Sequence, residues 1–288
     1  MSTDEDTISL RVRISSKDDP VIVDITRPGM PENGLQTLGD WVLAALEQHA
    51  DGAASAARAM VAALRERDWE GDVELADQLD ALLASGVIPD LRPLPLDLEQ
   101  LSGILEGDPM NGNGRIDLRT GDVWPEPAFD YGGVIREEDE EDEEDEERWL
   151  RVRCDGSRDG YRDMERFIGT VRDPVRADLL DVAITGRGAF RRFRDVLERW
   201  PEEVERWHAF STERERGRAR AWLAAAGYYV RIGEVFRRRD PSAEAVPGEV
   251  FPASGPYLRP GGEYVRGGNA EHVVVQVEQR LPGANRIG

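Results

Sequence analysis

The sequence predicts an α+β protein: two small domains, each with strands early and helices later, followed by a flexible C-terminal tail. Three observations carry this expectation. Clean alternation of apolar and polar residues marks half-buried strands at 8–14 and 148–153, while the stretches that follow each repeat apolar residues at helical spacing. A proline-rich stretch, Pro89-Asp90-Leu91-Arg92-Pro93-Leu94-Pro95, separates the two series. From Asp240 onward proline and glycine dominate, a composition that does not sustain a packed core.

The first domain is placed at 8–88. Residues 8–14 and 21–25 form its strands. Helical periodicity follows at 38–49, 53–67 and 72–84, and Gly86 and Pro89 stop the last helix. The second domain is placed at 96–237 and opens with a short helix at 98–105. Residues 110–114 turn into a hairpin with strands at 115–118 and 122–124. Gly121 in its Arg119-Thr120-Gly121 turn is suited to a positive φ. Further strands are expected at 129–135 and 148–153. Four or five helices then occupy 161–170, 174–185, 189–200, 202–210 and 213–225, and residues 228–236 return as a strand. The tail is 240–288. Within it, His272-Val273-Val274-Val275-Gln276-Val277 is strand-like and seeks a sheet edge, in this molecule or in a partner.

Charge is strongly polarised along the 288 residues, whose formal net charge is −21. Residues 1–136 hold 11 basic and 26 acidic groups. Residues 137–147 are eleven consecutive acids, running from Glu137 through Asp142 to Glu147. Residues 148–240 reverse the sign, with 22 basic and 16 acidic groups. A bulk charge of this size argues against a general nucleic-acid coat. The acidic run is a solvated insert, a lure for a basic partner, or a tethered shield over the basic segment that limits access by anionic partners. Lys17 is the only lysine, so the positive charge is carried by arginine, whose planar fork suits carboxylate and phosphate. Cys154 stands alone, which rules out an intrachain disulfide and fits a reducing compartment. Without a signal-peptide core or an apolar run of membrane-spanning length, the expected location is the cytoplasm, with no membrane contact.

Catalytic frameworks are hard to assemble. His49, His208 and His272 lie in separate segments, and neither CxxC nor HExxH occurs, so no metal is expected. Residues 108–117 have calcium-loop flavour, but the twelfth position holds Arg119 where a glutamate belongs. No Walker loop, complete dinucleotide fingerprint or GxSxG is present, so no cofactor is expected. Cys154 is expected to be inert, and Asp163 and Glu165 to pair on the surface with Arg162 and Arg166. Trp200, Trp207, Phe210 and Trp222 are expected in the core.

The most informative segment is Gly186-Arg187-Gly188-Ala189-Phe190-Arg191-Arg192-Phe193-Arg194-Asp195. Its glycines end one helix and turn into the next. In that helix Phe190, Phe193, Leu197 and Trp200 share a face, with arginines opposite. Arg191 can meet Asp195 four residues on. Together with the hairpin Gly114–Trp124, the helix opening at Arg162–Ile168, Arg206-Trp207-His208-Ala209-Phe210 and Ala221-Trp222-Leu223, this segment resembles a widespread bacterial family of uncharacterised proteins, over about residues 96–230. The resemblance implies no activity, cofactor or catalytic residue.

The functional expectation is therefore a non-catalytic cytoplasmic interaction or adaptor protein with a protein partner. One alternative is a nucleic-acid or ribosome-associated protein; the other is an enzyme whose site is not grouped in sequence. The residues singled out for partner binding are Arg187, Arg191, Arg192 and Arg194.

Overall fold

The computed structural model describes residues 7–15, 22–25, 34–50, 52–107, 112–130, 147–231 and 272–280. It is a mixed helix-and-sheet protein that divides into two compact units. Unit 1 takes in 1–68, 75–89 and 236–288; unit 2 takes in 69–74 and 90–235.

Unit 1 contains a three-stranded antiparallel sheet ordered β2-β1-β8, from β1 (Thr7–Ser15), β2 (Ile22–Ile25) and β8 (His272–Arg280). β8 includes the strand-like segment of the tail and pairs along the whole of β1, from Thr7 opposite Arg280 to Ser15 opposite His272. The helices are α1 (Leu35–Glu47), α2 (Ala53–Arg67) and α3 (Asp72–Ser85). Their core is built from Leu35, Leu38, Val42 and Leu43 of α1, Met60, Val61 and Leu64 of α2, and Leu75 and Leu79 of α3. Alanine-rich α2 adds Ala53, Ala56 and Ala57 to the same core, and small side chains let helices approach closely.

Unit 2 opens with β3 (Arg92–Leu94), which forms a two-stranded parallel sheet with β7 (Tyr228–Val230). The stretch read only as a boundary thus also contributes a strand. Asp97 caps α4 (Leu98–Leu105) by accepting the Glu99 N–H at 3.0 Å. A three-stranded antiparallel sheet, ordered β5-β4-β6, joins β4 (Gly114–Asp117), β5 (Val123–Pro125) and β6 (Trp149–Val152). Gly121 sits at φ 77° in its hairpin, where a Cβ would also meet the Pro95 carbonyl oxygen at 2.3 Å. The expected strand at 129–135 differs: α5 (Pro127–Asp130) is a helical turn opened by proline, and the remaining positions lie outside the described residues.

Four helices complete the unit: α6 (Arg158–Ile168), α7 (Pro174–Ile184), α8 (Ala189–Leu197) and α9 (Pro201–Ala225). The two helices expected at 202–210 and 213–225 are this single α9. Ser211 and Thr212 lie within it, and the Ser211 hydroxyl donates back to the His208 carbonyl at 3.4 Å. Gly217 in mid-helix lies against Gly71, where a Cβ on Gly71 would reach the Gly217 carbonyl oxygen at 2.2 Å. Two apolar clusters hold the unit. One joins Leu94, Leu96, Leu98, Leu101 and Ile116 to Leu223 and Tyr228, with Trp222 packed against it. The other is aromatic: Trp207 lies edge-on to Phe167 at 5.3 Å and to Phe193 at 4.9 Å, with Phe210 and Trp200 alongside.

Candidate functional site

Two arrangements in unit 2 gather charged or apolar groups that need an explanation. The first lies around the second half of α9, where Arg214, Arg216, Arg218 and Arg220 are all buried. Residues two apart point to different sides of a helix, so this sequence leaves no simple solvent face. Buried guanidinium groups require partners, and neighbouring helices supply them. Asp163 of α6, 1% exposed, accepts from Arg214 Nε at 3.1 Å and from Arg218 Nη1 at 2.6 Å. The more exposed Arg166 reaches the same carboxylate at 3.3 Å. Arg218 also donates through Nε to Glu106, just past the end of α4, at 2.7 Å. On another side of α9, Arg216 contacts Glu99 of α4 at 3.4 Å. The cluster therefore fastens α4, α6 and α9 together.

Its electrostatics follow from burial. Desolvation raises the Glu106 carboxyl above its usual range despite the opposing pull of Arg218. Glu215 is pushed up to about 7, first by burial and then by the negative field of Glu106, with Arg218 opposing. Burial works against the charge of Arg218, but Glu106 and Asp163 more than offset it and hold the guanidinium above its ordinary value. Asp163, expected as a surface partner of nearby arginines, is instead the buried hub, because α6 turns it inward toward α9. Sequence reasoning missed the cluster. The available signal was the alternation Glu213-Arg214-Glu215-Arg216-Gly217-Arg218, which an exposed amphipathic helix does not need.

The second arrangement is the α7–α8 helix pair. Asp173 caps α7 by accepting the N–H groups of Val175 and Arg176 at 2.9 and 3.3 Å, and Pro174 occupies the first turn. Leu180, Ala183 and Ile184 are buried. Val175, Leu179 and Val182 recur at i, i+4 and i+7 on another side and are exposed, Val182 by 72%. On α8, Phe193 and Leu197 are buried as expected, whereas Phe190 is 40% exposed beside Gly160.

The four singled-out arginines separate into two kinds. Arg187, Arg191 and Arg194 are exposed, and Arg191 meets Asp195 at 3.9 Å across the expected i, i+4 spacing. Arg192, expected on the solvent face, turns back instead. It donates through Nε to the Ala183 carbonyl at 3.0 Å and through Nη2 to the Thr185 carbonyl at 2.7 Å, and it also reaches the Arg187 carbonyl. These are the carbonyls that the end of α7 and the following turn leave without helical partners. Arg192 is thus the bracket of the turn.

Glu137 and Asp142 of the acidic run lie outside the described residues; Glu147 is exposed. In the stretch with calcium-loop flavour, the Asn113 side chain accepts the Cys154 N–H at 3.2 Å, and Asp117 accepts from Arg148 at 3.1 Å. The Cys154 thiol donates to the Gly107 carbonyl at 3.3 Å. Among the described residues, no three His, Cys, Asp or Glu side chains are grouped as a metal site, and no helix is long and apolar enough to cross a membrane.

No curated protein and no solved structure matches the chain. The hairpin of β4 and β5 falls outside the one stretch that a family profile covers. That stretch is residues 135–240, which include β6, α6–α9 and β7 and match Uncharacterised protein family (UPF0158).

Proposed function

We propose that the chain is a non-catalytic, cytoplasmic interaction protein that docks a protein partner on the α7–α8 surface of unit 2. One observation carries the reading: α7 is apolar on both sides. Leu180, Ala183 and Ile184 fill the core, while Val175, Leu179 and Val182 form an exposed second strip. Apolar side chains clustered on an exposed helix side mark a surface that a partner covers. Phe190 adds a fourth exposed apolar side chain. Arg187, Arg191 and Arg194 supply a charged rim of the sort that sets orientation and association rate. The charge-bearing groups of the α9 cluster support the same reading, since Asp163 and Glu106 are engaged by arginines that hold helices together.

The test is capture of bound protein by the full-length chain from its native cells, with and without nuclease, comparing wild type with Leu179→Glu/Val182→Glu. Both positions are exposed, so the variant should keep the wild-type circular dichroism spectrum. The expected result is nuclease-resistant capture that drops about tenfold or more in the variant. Capture that vanishes with nuclease would favour nucleic acid, and capture equal in both proteins would remove α7 from the interface.

A further inference from the structure

We propose that the partner seated on this face is a second copy of the chain, in a two-fold contact that sets α7 of one copy against α8 of the other. The inference rests on the docking surface just described and names its occupant. The exposed sides of these two consecutive helices carry complementary charge. The exposed strip of α7 is flanked by Asp178 and Asp181, both exposed. The exposed side of α8 and its leading turn carry Arg187, Arg191 and Arg194 around Phe190. Asp195 is drawn to Arg191, and Glu198 closes the far end of the helix. Among the described residues, no ion pair engages Asp178, Asp181, Arg187 or Arg194.

A single copy therefore presents an acid-flanked apolar strip on one helix and a basic side around Phe190 on the next. A two-fold axis brings each strip to the other twice, which is the self-complementarity that an isologous interface requires. Placing α7 on α7 would oppose Asp178 and Asp181 with their own copies; placing α8 on α8 would oppose arginines. The net charge of −21 repels two copies at long range, so local pairing of opposite charges is what selects this face for self-association.

Charge reversal gives a test that a misfolded variant cannot imitate. Asp178→Arg/Asp181→Arg makes both strips basic, and Arg187→Glu/Arg194→Glu makes α8 acidic like α7. Each variant alone should be monomeric by sedimentation equilibrium at concentrations where the wild type is dimeric, a weakening of about tenfold or more. Mixed together, the two variants should form a heterodimer, because α7 of each then faces an α8 of opposite sign. A chain carrying all four reversals should dimerise with itself. Leu179→Glu/Val182→Glu should be monomeric.

If the wild type is monomeric throughout while that last variant still loses a captured protein, the docking face stands and the second copy is overturned. If neither dimer nor capture responds to these substitutions, both fall. A wild-type dimer that survives every reversal, or reversals that fail to rescue one another in the mixture, would also overturn the α7-on-α8 contact.

Discussion

Arginine does opposite work in α8 and α9. In α9, Arg214 and Arg218 are buried and each lies within 3.1 Å of the Asp163 carboxylate. In α8, the Arg191 side chain is 90% exposed and its contact with Asp195 is a loose 3.9 Å. The residue type is the same and the local density of charge is similar. What differs is whether another element delivers a carboxylate. α6 brings Asp163 and the end of α4 brings Glu106, so α9's arginines become fasteners. Nothing comparable comes to Arg187 or Arg194 among the described residues, and they remain available. Arginine-rich sequence is therefore no guide to recognition until its partners are placed.

The largest effect should come from removing the shared carboxylate. Asp163→Asn leaves the buried Arg214 guanidinium without its carboxylate and Arg218 with Glu106 alone, and should cost about 3–5 kcal/mol in urea unfolding. A loss below about 1 kcal/mol would mean that the cluster is not a fastener and would erase the contrast with α8.

The second test uses the proton. Glu215 sits at about 7 when folded, above its ordinary value of 4.5. Between those values the folded protein holds more protons than the unfolded chain, so this group makes stability fall as pH rises through that window. Glu106, raised in the same direction, adds to the trend. Glu215→Gln should stabilise the protein by about 1–3 kcal/mol at pH 8 and by little near pH 4.5. Equal effects at both pH values would show that Glu215 titrates normally.

Arg192 sharpens the comparison inside α8 itself. Arg192→Ala should cost about 1–2 kcal/mol, because the carbonyls after α7 lose their donor. The exposed trio should behave otherwise. Replacing Arg187, Arg191 and Arg194 together by glutamine should change stability by no more than about 0.5 kcal/mol. Binding on the α7–α8 face should weaken, and its salt dependence should flatten. Should the triple variant unfold early in a thermal melt, the division of labour proposed for these arginines is wrong. The smallest change concerns the acidic run. Exchanging residues 137–147 for a Gly/Ser linker should leave unfolding unaltered and raise heparin affinity at low salt, where charges are least screened. Unchanged heparin binding at every salt concentration would make the run a plain solvated insert.

Elements whose signals are local were legible in the sequence. α2 begins and ends at the expected residues, and α4 follows its Asp97 cap. The β4–β5 hairpin and its positive-φ Gly121 were likewise visible in Arg119-Thr120-Gly121. Features fixed by distant segments were not. β3 is a strand only because Tyr228–Val230 lies beside it. The close approach of the Gly71 backbone to α9 at Gly217 depends on Gly71 having no Cβ. Asp163 looked like a surface acid because its arginines are more than fifty positions away. Phe190 shows the opposite failure: its periodicity matched Phe193, yet it lies at the edge of the buried stripe and is exposed. The exposed strip of α7 was also missed, because apolar periodicity alone does not say which of two faces a helix will bury.

The buried charges of α9 also set an order of assembly. In the middle of this helix, between its aromatic first half and the apolar Trp222 and Leu223, the buried arginines keep their water until all of their carboxylates are in place. Docking against α4 alone would satisfy Arg216 and one side of Arg218 while stranding Arg214. Docking against α6 alone would leave Glu106 and Arg218 half-matched. Partial structures are therefore costly, and the three helices gain their full stabilisation together. Such an all-or-none joint makes the cooperativity of unit 2 a property of its charges as much as of its apolar core.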